Sequence, residues 1–198
     1  SSASRTSPVE KKYQSSSSSS SSSTPECDFS VAEQFRIQGK KLYEKEDYEN
    51  ALDAFSNCLA ACPEDWSELP GVLGNRAATL MMLERYVEAI EDCNRAVKMN
   101  PNMLRLLDRK GRAQLKLGML TDAEATFKEL LSSCKIAVRL DSQVQKDARI
   151  GVKQVEDSRK ALDILKKWNS DNRHALDQVE QLLEICPHMR AAQILKAK

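Results

Sequence analysis

The sequence predicts an all-α solenoid of stacked helix-turn-helix repeats with a long linking helix. Three observations predict it. One set of large, small and proline positions recurs in a single register along three consecutive stretches. The small positions fall where two antiparallel helices need a close approach, opposite large side chains. Glycine and proline are scarce, six of each in 198 residues, so little interrupts the helical periodicity.

The register is clearest from Gly74 to Pro101. With Ala77 placed at slot 8 of a unit, Leu73, Leu80, Ala89, Cys93, Ala96 and Pro101 fall at slots 4, 11, 20, 24, 27 and 32. Upstream, Gly39 takes slot 8, with Phe35, Leu42, Ala51, Phe55, Cys58 and Pro63 at the same slots. Downstream, Gly111 takes slot 8, with Leu107, Ala123, Phe127 and Leu130 in register. Gln114 stands there in place of an apolar residue, and Lys135 in place of the proline. Ala77 and Gly111 are 34 residues apart. That spacing and those slots resemble the tetratricopeptide repeat (TPR), in which a closing proline ends the second helix because it cannot continue the hydrogen-bond ladder. Gly39 and Ala77 are 38 residues apart, so four extra residues sit around Asp65 to Pro70.

In chain order, residues 1–29 form a Ser-rich tail with nine consecutive serines from Ser15. So few apolar groups cannot offset the entropy of ordering, and the tail is expected to be disordered. Residues 30–135 hold the three repeats. Ser30 and Glu33 read as a capping box that opens the first helix, which ends near Tyr43–Glu46. The second helix runs from about Tyr48 to Cys62, and Arg85 or Tyr86 opens the fourth. The fifth spans about Asn102 to Leu117, with Gly118 as its stop. Thr121 and Glu124 read as a second capping box, for the sixth.

Residues 136–169 carry Ile136, Leu140, Val144, Ala148, Val152, Val155, Leu162 and Leu165 at helical spacing, which predicts the long linking helix. Residues 170–198 read as a degenerate fourth repeat and the start of a fifth. Trp168 to Asn172 form a turn. A helix from about Arg173 to Ile185 places Ala175, Val179, Leu182 and Pro187 at slots 20, 24, 27 and 32. Ala192, Ile194 and Leu195 then form an apolar face expected to lack a partner. A repeat array needs a polar cap, so this face suggests a piece of a longer protein, with self-association through the face as one consequence.

Several function classes are disfavoured. Net charge is +1, so bulk attraction to nucleic acid or to acidic membranes is not indicated. No run of 18 apolar residues offers a membrane span. Aromatics make up 5% and are not interleaved with cations as stacking on RNA would need. No phosphate loop, nucleophile elbow or paired-carboxylate signature is present, so no catalytic residue and no cofactor is expected. The six cysteines form no four-ligand zinc pattern. Cys58 and Cys93 occupy packing slots. With no secretory signal, scattered thiols fit a reducing, cytoplasmic setting.

Charge gathers locally instead. The first helices of successive repeats line the concave face of such a solenoid. Arg36 and Lys40 lie one turn apart in the first repeat, and Asn75 is at slot 6 of the second. Arg105 and Arg109 lie one turn apart in the third, and Arg112 extends the stripe. Guanidinium and ammonium groups converging with one amide suit carboxylates.

These residues resemble the two-carboxylate clamp of TPR chaperone adaptors. That clamp carries Lys or Arg at slot 5 and Asn at slot 9 of the first repeat, Asn at slot 6 of the second, and Lys or Arg at slot 2 with Arg at slot 6 of the third. Arg36, Asn75, Arg105 and Arg109 match, and Lys40 departs, standing where Asn is usual. The resemblance implies capture of the C-terminal Glu-Glu-Val-Asp of cytosolic heat-shock 70 and 90 class chaperones. Arg36, Lys40 and Asn75 would hold the terminal carboxylate, and Arg105 and Arg109 the acidic side chains. The run Gly74–Leu83, the long linker and the late Ile194–Ala197 resemble the N-terminal part of the DnaJ subfamily C member 7 family, where TPR repeats precede a J domain. No His-Pro-Asp motif occurs, so a J domain would lie beyond Lys198. The expectation is a non-enzymatic co-chaperone adaptor. The alternatives are a general TPR scaffold that binds another partner segment, and a targeting module for an enzyme fused beyond Lys198.

Overall fold

Side-chain size at the slots decides how the helices pair. A computed structural model describes residues 29–63, 65–136, 142–166, 173–189 and 192–193. The Ser-rich tail and the Trp168–Asn172 turn lie outside the described residues. Eight helices follow one another among the described residues: α1 (Phe29–Glu44), α2 (Tyr48–Ala61), α3 (Leu69–Met82), α4 (Tyr86–Met99), α5 (Leu104–Lys116), α6 (Leu120–Ile136), α7 (Ser142–Lys166) and α8 (Arg173–Ile185). Each packs mainly on its neighbours in sequence, as a stacked repeat requires.

Gly39 on α1 faces the ring of Phe55 on α2, where an added Cβ would come within 2.7 Å of the ring. Gly111 on α5 faces Phe127 on α6 at the same 2.7 Å. The same slots thus build the same contact in repeats one and three. Gly151 on α7 also closes on Phe127, so one fully buried ring ties α5, α6 and α7 together. Val144, Ala148 and Val155 on α7 and Val179 and Leu182 on α8 are buried in the same cluster.

The turn within each repeat is also common to all three. Glu46 (φ 61), Glu84 (φ 58) and Gly118 (φ 75) all adopt the left-handed conformation at slot 15. The next residue's N–H bonds back to slot 11: Asp47 to Leu42 O (3.0 Å), Arg85 to Leu80 O (2.9 Å) and Met119 to Gln114 O (2.9 Å). This closing pattern satisfies carbonyls that a helix end leaves open. Only the third repeat uses the residue that adopts it without strain.

The polar exceptions in the core are paired. Gln114 is buried, and Thr126 Oγ1 donates to its Oε1 at 2.8 Å. Asp92, also buried, receives Nε and Nη2 of Arg76 at 2.7 Å each, which joins α3 to α4. In the connection before α3, half-buried Trp66 packs against the cluster of Leu69, Leu73, Ala96 and Leu106 and anchors the four-residue insertion.

Three expectations are corrected. Glu33 and Glu124 do not reach back as capping-box acids. Glu33 pairs with Arg36, and Glu124 with Lys128 and Arg159. The helices also start at Phe29 and Leu120, which puts Ser30 and Thr121 inside the first turn. Ala192 does not stand on an unpartnered face: it is fully buried in the α5–α8 cluster, while Ile194 and Leu195 lie outside the described residues. The segment leading to it folds back on earlier turns. The His188 N–H donates to Lys116 O (3.2 Å), the Tyr86 and His188 rings meet edge-on at 5.3 Å, and Met189 covers Gly118.

Burial pushes the Cys58 thiol up to about 11 and the Cys93 thiol to about 12. Both stay protonated near neutrality, where the thiolate is the reactive form. Brief iodoacetamide treatment at about pH 8 is expected to spare Cys58 and Cys93 in the folded chain and to modify half-buried Cys62 before either of them. Peptide mass spectrometry reads the order. Equal labelling of Cys93 and Cys62 would contradict it.

Candidate functional site: a cationic groove across three repeats

The first helices of the repeats, α1, α3 and α5, run in the same direction because two reversals separate each from the next. Residues one turn apart on each therefore form parallel rows. Arg36, Lys40, Asn75, Arg105 and Arg109 all line one cavity of about 260 Å³, together with Glu68, Gly71, Gly74, Met103 and Leu106. A second cavity of about 130 Å³ adjoins it, lined by Lys40, Tyr43, Glu44, Phe55, Asn75, Ala78 and Arg109. Lys40, Asn75 and Arg109 line both.

Local packing fixes Arg109. Its Nη1 donates to the carbonyl of Gly74 at 3.0 Å, from α5 to α3. A Cβ on Gly74 would come to 2.8 Å from Leu106 Cδ2 and 3.3 Å from Arg109 Nη1. The missing side chain at Gly74 therefore lets the third repeat close on the second, and it aims the guanidinium into the groove. Asn75 is held by its helix: its carbonyl accepts Thr79 Oγ1 at 3.0 Å. Its side-chain amide has no hydrogen bond among the described residues. Lys40 is exposed and has no ion pair among the described residues.

Arg36 is half-buried and already engaged. Its Nε and Nη2 donate to the two carboxylate oxygens of Glu33 at 2.6 and 2.5 Å. That hydrogen-bonded fork raises the guanidinium pKa and holds the Glu33 carboxyl below its ordinary range. Arg112 is the one cation of the sequence-derived stripe that leaves the groove. It turns toward Asp108 (2.8 Å) and Asp147 on α7 (3.5 Å). Burial raises the Asp108 carboxyl, and Arg112 opposes that rise.

The groove thus gathers four cations and one amide in a chain that is nearly neutral. Sequence reasoning missed Gly74 and Glu68. Gly74 was visible as a glycine at slot 5, where the first repeat carries Arg36. Glu68 lies in the four-residue insertion, where the repeat register gives no guide. Among the described residues no group of three or more His, Cys, Asp or Glu could hold a metal ion. No helix among them is long and apolar enough to cross a membrane.

Fold and groove together define a helical-repeat domain with a cationic concave face. The family profile described as tetratricopeptide repeat matches residues 71–103, and the 30% identity to a solved TPR domain, 97% of which this chain covers, shows that the chain belongs to that family. The chain is 31% identical over 170 residues to DnaJ homolog subfamily C member 7 of Homo sapiens, which covers 84% of this chain and 32% of that protein. It is 34% identical over 133 residues to heat shock protein STI1 of Saccharomyces cerevisiae, covering 66% of this chain and 20% of that one. It therefore spans a third or less of these relatives. Among solved structures, the TPR2B domain of yeast Sti1 in its complex with pHsp70 is similar, with a TM-score of 0.53 and 30% identity over 61% of this chain and 97% of that one.

Proposed function

We propose that the groove captures the free C-terminal carboxylate of an extended acidic peptide, and that the chain is a co-chaperone adaptor for the tails of heat-shock 70 and 90 class chaperones. One observation carries the reading: Arg36, Lys40, Asn75, Arg105 and Arg109, from three separate repeats, line a single cavity. The similar Sti1 domain, solved in its complex with pHsp70, supports the choice of partner.

Lys40, Asn75 and Arg109 border both cavities and have donors directed at shared space, so they would receive the terminal carboxylate. Arg105 and Arg36 lie one turn nearer the helix N-termini and would meet acidic side chains upstream of it. Lys40, in the slot usual for Asn, reaches further and adds a full charge. The partner implies a cytosolic setting, in keeping with the free thiols.

A labelled peptide ending in Glu-Glu-Val-Asp is expected to bind with a Kd of about 1 μM, about −8 kcal/mol. The contacts are charge pairs on a wet surface, so binding should weaken at least about tenfold as salt rises from about 0.05 to 0.5 M. Fluorescence anisotropy measures both. Binding that ignores salt would favour the general-scaffold reading.

A further inference from the structure

The larger cavity of the groove is cationic, but one carboxylate, Glu68, lines it. Glu68 precedes the first turn of α3 and makes no side-chain hydrogen bond to cap that helix. Its carboxylate has no hydrogen bond or ion pair among the described residues, and the residue is exposed. It borders the larger cavity together with Arg36, Met103 and Arg105, and it is absent from the smaller one.

Its position along the groove follows from the helix register. Glu68 is seven residues before Asn75, about 10 Å along the axis at 1.5 Å per residue. Arg36 is one turn before Lys40, and Arg105 one turn before Arg109. Glu68, Arg36 and Arg105 therefore share the N-terminal end of the groove, and Lys40, Asn75 and Arg109 share the other end. The two ends differ in kind. At the second, two cations and an amide face the ligand, and Glu44 borders only the smaller cavity. At the first, Glu33 forks onto Arg36 and Glu68 adds its field, which also favours the Arg36 cation.

We propose that Glu68 is a specificity-determining residue, which lowers the affinity of the N-terminal end of the groove for consecutive acidic side chains a few-fold without abolishing it, while the far end still takes any free terminal carboxylate. This rests on the carboxylate-capture reading. A peptide laid along the groove brings its upstream side chains to the Glu68 end. A like charge a few ångströms from Glu68 is repelled, and at a wet surface that amounts to a few-fold in affinity. Arg105 and Arg36 offset the repulsion for one acidic side chain, and a second adjacent one meets Glu68. The insertion that departs from the 34-residue period is thus the element that tunes the ligand.

The test compares wild type, Glu68→Gln and Glu91→Gln, an equal charge change at an exposed α4 position outside both cavities. Two labelled free-acid peptides are titrated at low salt, one ending in Glu-Glu-Val-Asp and one ending in Gln-Gln-Val-Asp. Glu68→Gln is expected to tighten the first by about three- to fivefold and the second by less than twofold, and Glu91→Gln to change neither. Equal affinities for wild type and Glu68→Gln overturn the role of Glu68 and leave the capture reading standing. Equal tightening of both peptides, or the same gain from Glu91→Gln, overturns it as a specificity residue. Binding of neither peptide by any of the three proteins overturns the capture reading, and the role of Glu68 falls with it.

Discussion

Replacing Arg109 by alanine is expected to weaken binding of a carboxylate-ended acidic peptide about 30-fold, about 2 kcal/mol, with helix content unchanged. The size of the effect follows from position. Arg109 borders both cavities, so a ligand in either meets its guanidinium. Its bond to Gly74 O holds the group in place before the ligand arrives, so little rotamer entropy remains to be lost on binding. The same geometry explains why the fold should survive. Arg109 is half-buried and belongs to no apolar cluster, and Leu106, buried beside Gly74, keeps α3 and α5 in contact. Circular dichroism and calorimetry on one preparation separate the two effects. Unchanged affinity would remove Arg109 from the site, and lost helix content would make its role structural.

Phe127→Ala should cost about 3–5 kcal/mol of folding stability. The ring is fully buried, and two glycines close on it, one from α5 and one from α7. Neither Gly111 nor Gly151 has a side chain that could move into the void. In a stacked array each unit touches only its neighbours, so this loss falls on the junction that joins α7 and α8 to the repeats. Chemical denaturation is expected to show a lower midpoint, with a separate early transition for the C-terminal helices. Ile150→Ala is the control: Ile150, next to Gly151, is 54% exposed and should change stability little. A loss below about 1 kcal/mol for Phe127→Ala would contradict this packing.

Most of the architecture was legible because repeat slots are steric statements. A glycine opposite a phenylalanine, as in Gly39 with Phe55 and Gly111 with Phe127, has one economical arrangement, and that arrangement fixes the helix pair. The convergence of the five groove residues followed from the same register, since they occupy the first helices of successive repeats. What was not legible lies in choices between partners. Glu33 could cap a helix or pair with Arg36, and the bidentate fork was available only once α1 placed them one turn apart. Arg112 could extend the cationic stripe or turn toward α7, and no register locates Asp147. Glu46 and Glu84 hold the left-handed conformation that only Gly118 advertises, because the stacking on either side forces the turn. Glu68 sits in an insertion, where the repeat offers no slot to read. Ala192 is covered because the chain after α8 folds back over the turns at Glu84 and Gly118, a contact over more than seventy residues that no local pattern announces.

The central claim is that the groove reads a free carboxylate at a chain end. Calorimetric titration of one peptide ending in Glu-Glu-Val-Asp, as the free acid and as its C-terminal amide, tests that directly. Binding of the free acid at about micromolar strength, with the amide at least about tenfold weaker, is the predicted result. Equal binding of the two forms would contradict carboxylate capture and leave a general repeat scaffold in its place.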